Sequence, residues 1–135
     1  MKFMSAMIVA ATILISGCMS MEKVDESRVF FSNLTDGQTV QSPLNVKFGV
    51  EGMEVKPAGQ LIEGTGHHHL IIDGEPIAAG KVIPNNDTYI HFGGGQTETT
   101  VDLSKGEHTL MLQFADGAHR SYGEKMRASI KVIVK

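Results

Sequence analysis

Apolar and polar residues alternate with period two along most of the chain. Leu44, Val46, Phe48 and Val50 alternate with Asn45, Lys47 and Gly49, the pattern of a strand with one buried face. Thr99, Val101 and Leu103 alternate with Glu98, Thr100 and Asp102. His108, Leu110, Leu112 and Phe114 share one face of another strand, and Ala128, Ile130, Val132 and Val134 one face of the last. Val29-Phe30-Phe31 opens the series, and Tyr89-Ile90-His91-Phe92 sits in its middle. Turn signals separate the runs: Asp36-Gly37, Ser42-Pro43, Pro57-Ala58-Gly59, Asp73-Gly74, Pro84-Asn85-Asn86-Asp87, Lys105-Gly106 and Asp116-Gly117. Beyond the N-terminal segment no stretch carries a helical period. About seven short strands punctuated in this way predict an all-β domain, an immunoglobulin-like β-sandwich, with a small barrel as the second choice.

The N-terminal segment breaks the alternation. Lys2 is followed by an apolar stretch, Met7 to Ile15, interrupted only by Thr12 and too short to cross a bilayer as a helix. It ends in Ile15-Ser16-Gly17-Cys18, which resembles the lipobox of bacterial lipoproteins. The resemblance implies cleavage before Cys18 and lipidation of that cysteine. Several acyl chains anchor a protein firmly to a membrane. The chain thus divides into a signal peptide over 1–17, the lipidated cysteine and a polar tether over 18–27, and the sandwich domain over 28–135. Met19, not aspartate, follows the cysteine; by analogy with Gram-negative sorting, the expected location is the outer membrane, facing the periplasm.

Charge and composition exclude some partners. Lys and Arg number 12 against 15 Asp and Glu, a net charge of −3. No basic cluster occurs, which argues against nucleic acid. Cys18 is the single cysteine, so no intramolecular disulfide can form. Expected partners are the membrane, through the anchor, and another envelope protein.

The candidate chemistry is carried by histidine. His67-His68-His69 runs directly into Leu70-Ile71-Ile72-Asp73, a strand pattern. Residues two apart on a strand point the same way, roughly 6.5 Å apart along the chain. His67 and His69 therefore share a face with Asp73, which predicts the exposed face. His68 aligns with Leu70 and Ile72, toward the core or its rim. A His-x-His pair can chelate one metal ion, and zinc sites commonly need a further protein ligand. His91, flanked by Ile90 and Phe92, is predicted to face away from the core and to complete the site. His119, in the loop after Asp116-Gly117, is an auxiliary candidate. His108 is in phase with Leu110 and reads as a packing residue bonded to backbone. Imidazole suits zinc, copper, nickel and iron alike. Of 8 methionines only Met53, Met111 and Met126 belong to the domain, so methionine does not argue for copper(I). The other reading of the triplet is a hydrogen-bonded cluster that organises loops at one end of the sandwich.

His91 opens a second string, Phe92-Gly93-Gly94-Gly95-Gln96-Thr97-Glu98-Thr99. It reads first as a tight irregular connection. It lacks the Gly-Lys-Ser/Thr ending of a phosphate-binding loop, which argues against nucleotide. Gln96 and Glu98 are candidates for supporting contacts to the histidines. No serine sits in a Gly-x-Ser-x-Gly elbow, and an enzyme is not expected.

Three blocks carry a family resemblance. The first holds Val29-Phe30-Phe31, Asp36 through Pro43 and Phe48 through Met53. The second holds Pro57-Ala58-Gly59, Thr65 through Asp73 and Ile83-Pro84. The third holds His91 through Thr99 and Gly106 through Leu110. From Val29 to Val134 the chain resembles an uncharacterised bacterial family of exported proteins and lipoproteins, a domain of unknown function. The resemblance implies a small periplasmic or lipid-anchored domain without an established activity. The family pattern usually has a histidine before the His-Phe-Gly-Gly-Gly string, where this chain has Tyr89-Ile90, and more histidine and proline after Asp116, where it keeps His119.

Taken together, the residues predict a cell-envelope lipoprotein that binds a transition-metal ion, zinc or copper, for sequestration or delivery. The alternative is a metal-free binding or scaffolding module for an envelope protein or a glycan.

Overall fold

The computed structural model describes Gly17 and residues 26–135. The expected signal peptide, apart from Gly17, the expected lipidation site Cys18 and the expected tether up to residue 25 lie outside the described residues. The described strands are β1 (Arg28–Phe31), β2 (Gln38–Val40), β3 (Leu44–Glu51), β4 (Glu54–Val55), β5 (Thr65–Ile72), β6 (Tyr89–His91), β7 (Glu98–Val101), β8 (Gly106–Ala115) and β9 (Arg127–Val134). A 3-10 turn, Glu124–Met126, precedes β9.

Two sheets face each other, as the alternation predicts. The smaller is antiparallel, in the order β1-β3-β7. The larger runs β2-β9-β8-β5, and the far edge of β5 is shared. Its start pairs with β4 and its end with β6. Val46 and Phe48 from the small sheet meet Leu70, Leu110, Leu112, Phe114 and Val132 from the large one in a common core. Each such side chain stabilises the fold by about 1.5–3 kcal/mol relative to exposure. The seven predicted strands are all present. β2 and β4, added by the structure, are too short for an alternating pattern to show.

His68 belongs to this core. It is fully buried on the inner face of β5, its ring 5.1 Å from Phe48 and 5.0 Å from Phe114. Neither ring nitrogen has a hydrogen-bond partner, and an unsatisfied buried polar group costs about 1–3 kcal/mol. His68→Leu, close in volume and apolar, is therefore expected to stabilise the protein by about 1–2 kcal/mol at neutral pH. Urea unfolding would read this as a higher midpoint at unchanged slope.

The outer face of the large sheet corrects one sequence expectation. His67, His69 and Ile71 do point away from the sandwich core, but they are 0%, 1% and 0% exposed. Two loops cover them. The connection from β5 to β6 brings Ile83, itself buried, over the face. The chain after β8 folds back so that Ser121 bridges Ala115. Backbone bonds lock the two loops together: Ile83 N–H to His119 O at 2.9 Å, Ser121 N–H to Lys81 O at 2.9 Å and Gly80 N–H to Ser121 O at 2.8 Å. Gln113, also fully buried, donates its amide to the Gly123 and Met126 carbonyls and accepts from Arg127 Nε at 2.8 Å. Arg127 in turn donates to Ile77 O, tying the β5–β6 connection to β9. Period-two phase gives the direction of a side chain but says nothing about what a distant loop lays over it.

Candidate metal centre

Strand register builds most of the site. β5 and β6 pair so that His69 lies directly opposite His91. His67 is two residues back on the same face of β5, opposite Ala115 at the end of β8. The chain leaving β8 at Ala115 is thus already beside His67, and the turn that follows carries His119 over it. Two strands and one loop deliver four imidazoles to one point. The four candidates expected from sequence are all brought together.

One ring nitrogen from each of His67, His69, His91 and His119 lies within 4.8 Å of the other three. His67 Nε2 and His119 Nδ1 are 3.2 Å apart. Ring centroids are separated by 4.6 Å for His91 and His119, 4.7 Å for His67 and His69, and 5.1 Å for His69 and His91. His67 and His69 form a buried floor, and His91 and His119 a half-buried rim. His67 Nδ1, His69 Nδ1 and His91 Nε2 are buried without any hydrogen-bond partner. Buried ring nitrogens left unpaired in this way are costly unless a partner meets them, and an ion at the His69 and His91 nitrogens would be such a partner.

The surroundings of His67, His69 and His91 disfavour the charged form. Burial pushes His67 down to about 4, helped by repulsion from His91 and His119 and opposed by the Asp116 carboxylate. Burial likewise takes His69 down to about 3, with His67, His91 and His119 adding to it. His91 is lowered by burial and then by His119. Neutral imidazole is the form that binds metal.

Two residues shape the site without being ligands. Gly93 lies under the His91 ring: a Cβ there would run into Cε1 and Nε2 of His91. Asp116 organises the loop that carries His119. Its Oδ1 accepts from the Ala118 and Arg120 amides at 2.9 and 3.0 Å, and its Oδ2 accepts from Arg120 Nε at 2.8 Å. His119 itself sits at φ 64°, a left-handed conformation uncommon for a side-chain-bearing residue.

The remaining candidates lie elsewhere. His68 is on the opposite side of the sheet, in the core. Gln96 turns back to accept from the Gly94 amide at 3.0 Å. Glu98 is on β7 in the small sheet, opposite Lys47, and accepts from Asn45 Nδ2. Neither hydrogen-bonds any of the four rings, so the support expected from them is not what the structure places there. The sequence distance from His91 is short, but β7 belongs to the other sheet.

His108 bonds Asp73 Oδ2 through Nδ1 at 2.6 Å, and its Nε2 lies 2.8 Å from Ser104 O and 3.3 Å from Ser104 Oγ. The residue types are those of a hydrolytic triad. The ring, however, is committed to acceptors at both nitrogens, Asp73 and the Ser104 carbonyl. These bonds raise its pKa, the Asp73 contact most, so the ring is a charged staple and not a poised base. The backbone bonding expected of His108 is present, and the Asp73 partner is added.

Residues 46–135 match the family model described as Domain of unknown function (DUF4399). The chain belongs to this family. All four histidines fall inside the DUF4399 match, while β1, β2 and the first residues of β3 precede it. No curated protein matches the chain. In this DUF4399 domain, sequence reasoning located the ligand-type residues but missed Gly93, Asp116 and Gln113. Gly93 and Asp116 had registered only as turn and loop residues, and Gln113 had drawn no reading at all.

Proposed function

We propose that the domain binds one transition-metal ion through His67, His69, His91 and His119, and that it sequesters or delivers the ion without catalysis. The observation that carries this reading is the convergence of four ring nitrogens within 4.8 Å. Zinc–imidazole bonds of about 2.0–2.1 Å at tetrahedral angles place nitrogens roughly 3.3 Å apart. The 3.2 Å between His67 Nε2 and His119 Nδ1 fits that edge, and any wider edge, up to the 4.8 Å limit, has to contract on binding. An all-nitrogen set suits zinc, copper or nickel and disfavours calcium and magnesium, which take oxygen. Four protein ligands leave no open coordination position, which is the pattern of a holding site and not of a catalytic one.

The Ile15-Ser16-Gly17-Cys18 string supports a lipid-anchored protein of the cell envelope. On that reading the ion is held at a membrane surface, facing the periplasm, within reach of a second envelope protein. The metal-free scaffold is favoured by one observation, the His67–His119 hydrogen bond, which could staple the loop by itself. Among the described residues neither tyrosine offers an aromatic platform for a glycan: Tyr89 and Tyr122 are half-buried and spend their hydroxyls on the Glu75 and Thr65 carbonyls.

X-ray absorption on the zinc-loaded protein tests the ligand set. Four imidazole nitrogens are expected; a zinc shell dominated by water or carboxylate oxygen would reject it. Gly93→Ala supplies a second check. Its methyl group must push the His91 ring aside, so zinc affinity is expected to fall by about 10–100-fold with the fold intact, the size seen when groups behind a ligand are altered. Chelator competition would measure it.

A further inference from the structure

We propose that Asp116 is the positioning residue for His119, and that through it the Asp116–Arg120 loop sets how fast the centre gives up its metal. The inference rests on the metal-binding reading above and extends it to exchange.

The four ligands are not held alike. His67 and His69 stand on β5, which is hydrogen-bonded on both sides. His91 ends β6, in register with His69. His119 alone of the four belongs to no strand. Its position depends on a loop closed on itself by one side chain. Asp116 Oδ1 accepts from the Ala118 and Arg120 amides, and Oδ2 from Arg120 Nε. The main chain completes the ring, with Asp116 N–H to Arg120 O at 3.0 Å and His119 N–H to Asp116 O at 2.9 Å. Asp116 also pairs with Arg120, and its hold on His119 runs through loop geometry.

The closed loop is in turn seated between two neighbours. On one side Gly59 N–H bonds Gly117 O at 2.9 Å, and the Gln60 backbone sits so close that Gly117 has no room for a Cβ. On the other side Ile83 N–H bonds His119 O, and Val82 pairs with Arg120. This seat holds His119 at its positive φ with the ring over His67. An ion resting on the rigid floor can leave only when a rim ligand lets go. His119, on the one loop-borne position, is the ligand that can swing without breaking a sheet. Exchange with an acceptor protein therefore runs through opening of this loop, and Asp116 is its latch.

The test is release of zinc from the purified protein to excess chromophoric chelator, with X-ray absorption on the same samples. Asp116→Ala is expected to release zinc about 10–100-fold faster, with the imidazole count falling from four to three. Asp116→Asn keeps an acceptor oxygen for the loop amides and should fall between Asp116→Ala and the parent. A purely structural role would lower thermal stability but leave four imidazoles on zinc. Release at the parental rate with four imidazoles in Asp116→Ala overturns the proposal while leaving the metal site standing. Failure of the parent to bind zinc overturns both. Should Asp116→Ala not fold, Arg120→Gln removes the side-chain pairing from a half-exposed position. It is expected to speed release several-fold, and an unchanged rate counts against the latch.

Discussion

A His67→Ala/His69→Ala protein is expected to lose zinc affinity by about 10⁴-fold. Four-ligand zinc sites bind with apparent free energies of about 10–16 kcal/mol, roughly 3 kcal/mol per ligand, so two lost ligands remove on the order of 6 kcal/mol. The two that remain, His91 and His119, are the half-buried rim, and they sit on a short strand and a loop. The measurement is isothermal titration of the metal-free proteins with zinc under anaerobic, chelator-cleaned conditions. His68→Leu is the internal control. It lies between the two proposed ligands in sequence but faces Phe48 and Phe114 across the sheet, and it should bind like the parent. Comparable losses in both variants would mean that the triplet acts as a packing unit. Retained binding in the double mutant would remove His67 and His69 from the site. A metal-free cluster makes a different forecast: the double mutant loses melting temperature, and zinc changes the melting temperature of neither protein.

The second large effect is acid destabilisation of the metal-free protein. His67 and His68 are held near pKa 4 and His69 near 3 in the fold, by burial first. In the unfolded chain each returns to about 6.5. Between these values the unfolded state binds more protons, so stability falls as pH drops. The window runs from about 6.5 down to the folded values, and stability is fully present above it. One such group is worth about 3 kcal/mol across the window. The three interact, so their sum is not additive, but even one is a large share of a typical 5–15 kcal/mol. His108 has the opposite sign. Its raised pKa adds stability that is present below about 6.5 and lost as pH rises through the folded value. The metal-free protein is expected to be most stable near neutral pH and to unfold between pH 6 and 4, within the window set by these shifts. Thermal melts across pH with chelator present would show this. A melting temperature that stays flat from pH 7 to 4 would mean that the histidines are not buried neutral. Zinc in excess should extend the plateau to lower pH, because a bound ion competes with protons for the same nitrogens.

Much of this was legible in the chain. Alternation at Leu44 to Val50 and His108 to Phe114 gave the strands, and the His-x-His phase gave the shared face of His67 and His69. The alternation of Ile90, His91 and Phe92 placed His91 on a matching outward face. What it could not give is register. That His91 stands opposite His69 depends on how β6 pairs with β5, which is fixed by long-range contacts. Burial of the pair was misread for a related reason: Asp73 in phase suggested solvent, but Asp73 is beyond the end of β5, bonded to His108 and Thr109, and reports nothing about His67. Glu98 looked near in sequence and belongs to the other sheet. Asp116 and Gly93 had been read as turn residues because their roles, a carboxylate closing a loop and a missing Cβ under a ring, exist only in three dimensions.

The most direct test is the metal content of the protein purified without an affinity tag, loaded with excess zinc or copper and dialysed against metal-free buffer. A centre of four imidazoles requires one ion per chain, retained through dialysis and absent from the His67→Ala/His69→Ala protein. Well below one ion per chain, at a level the double mutant shares, would contradict it.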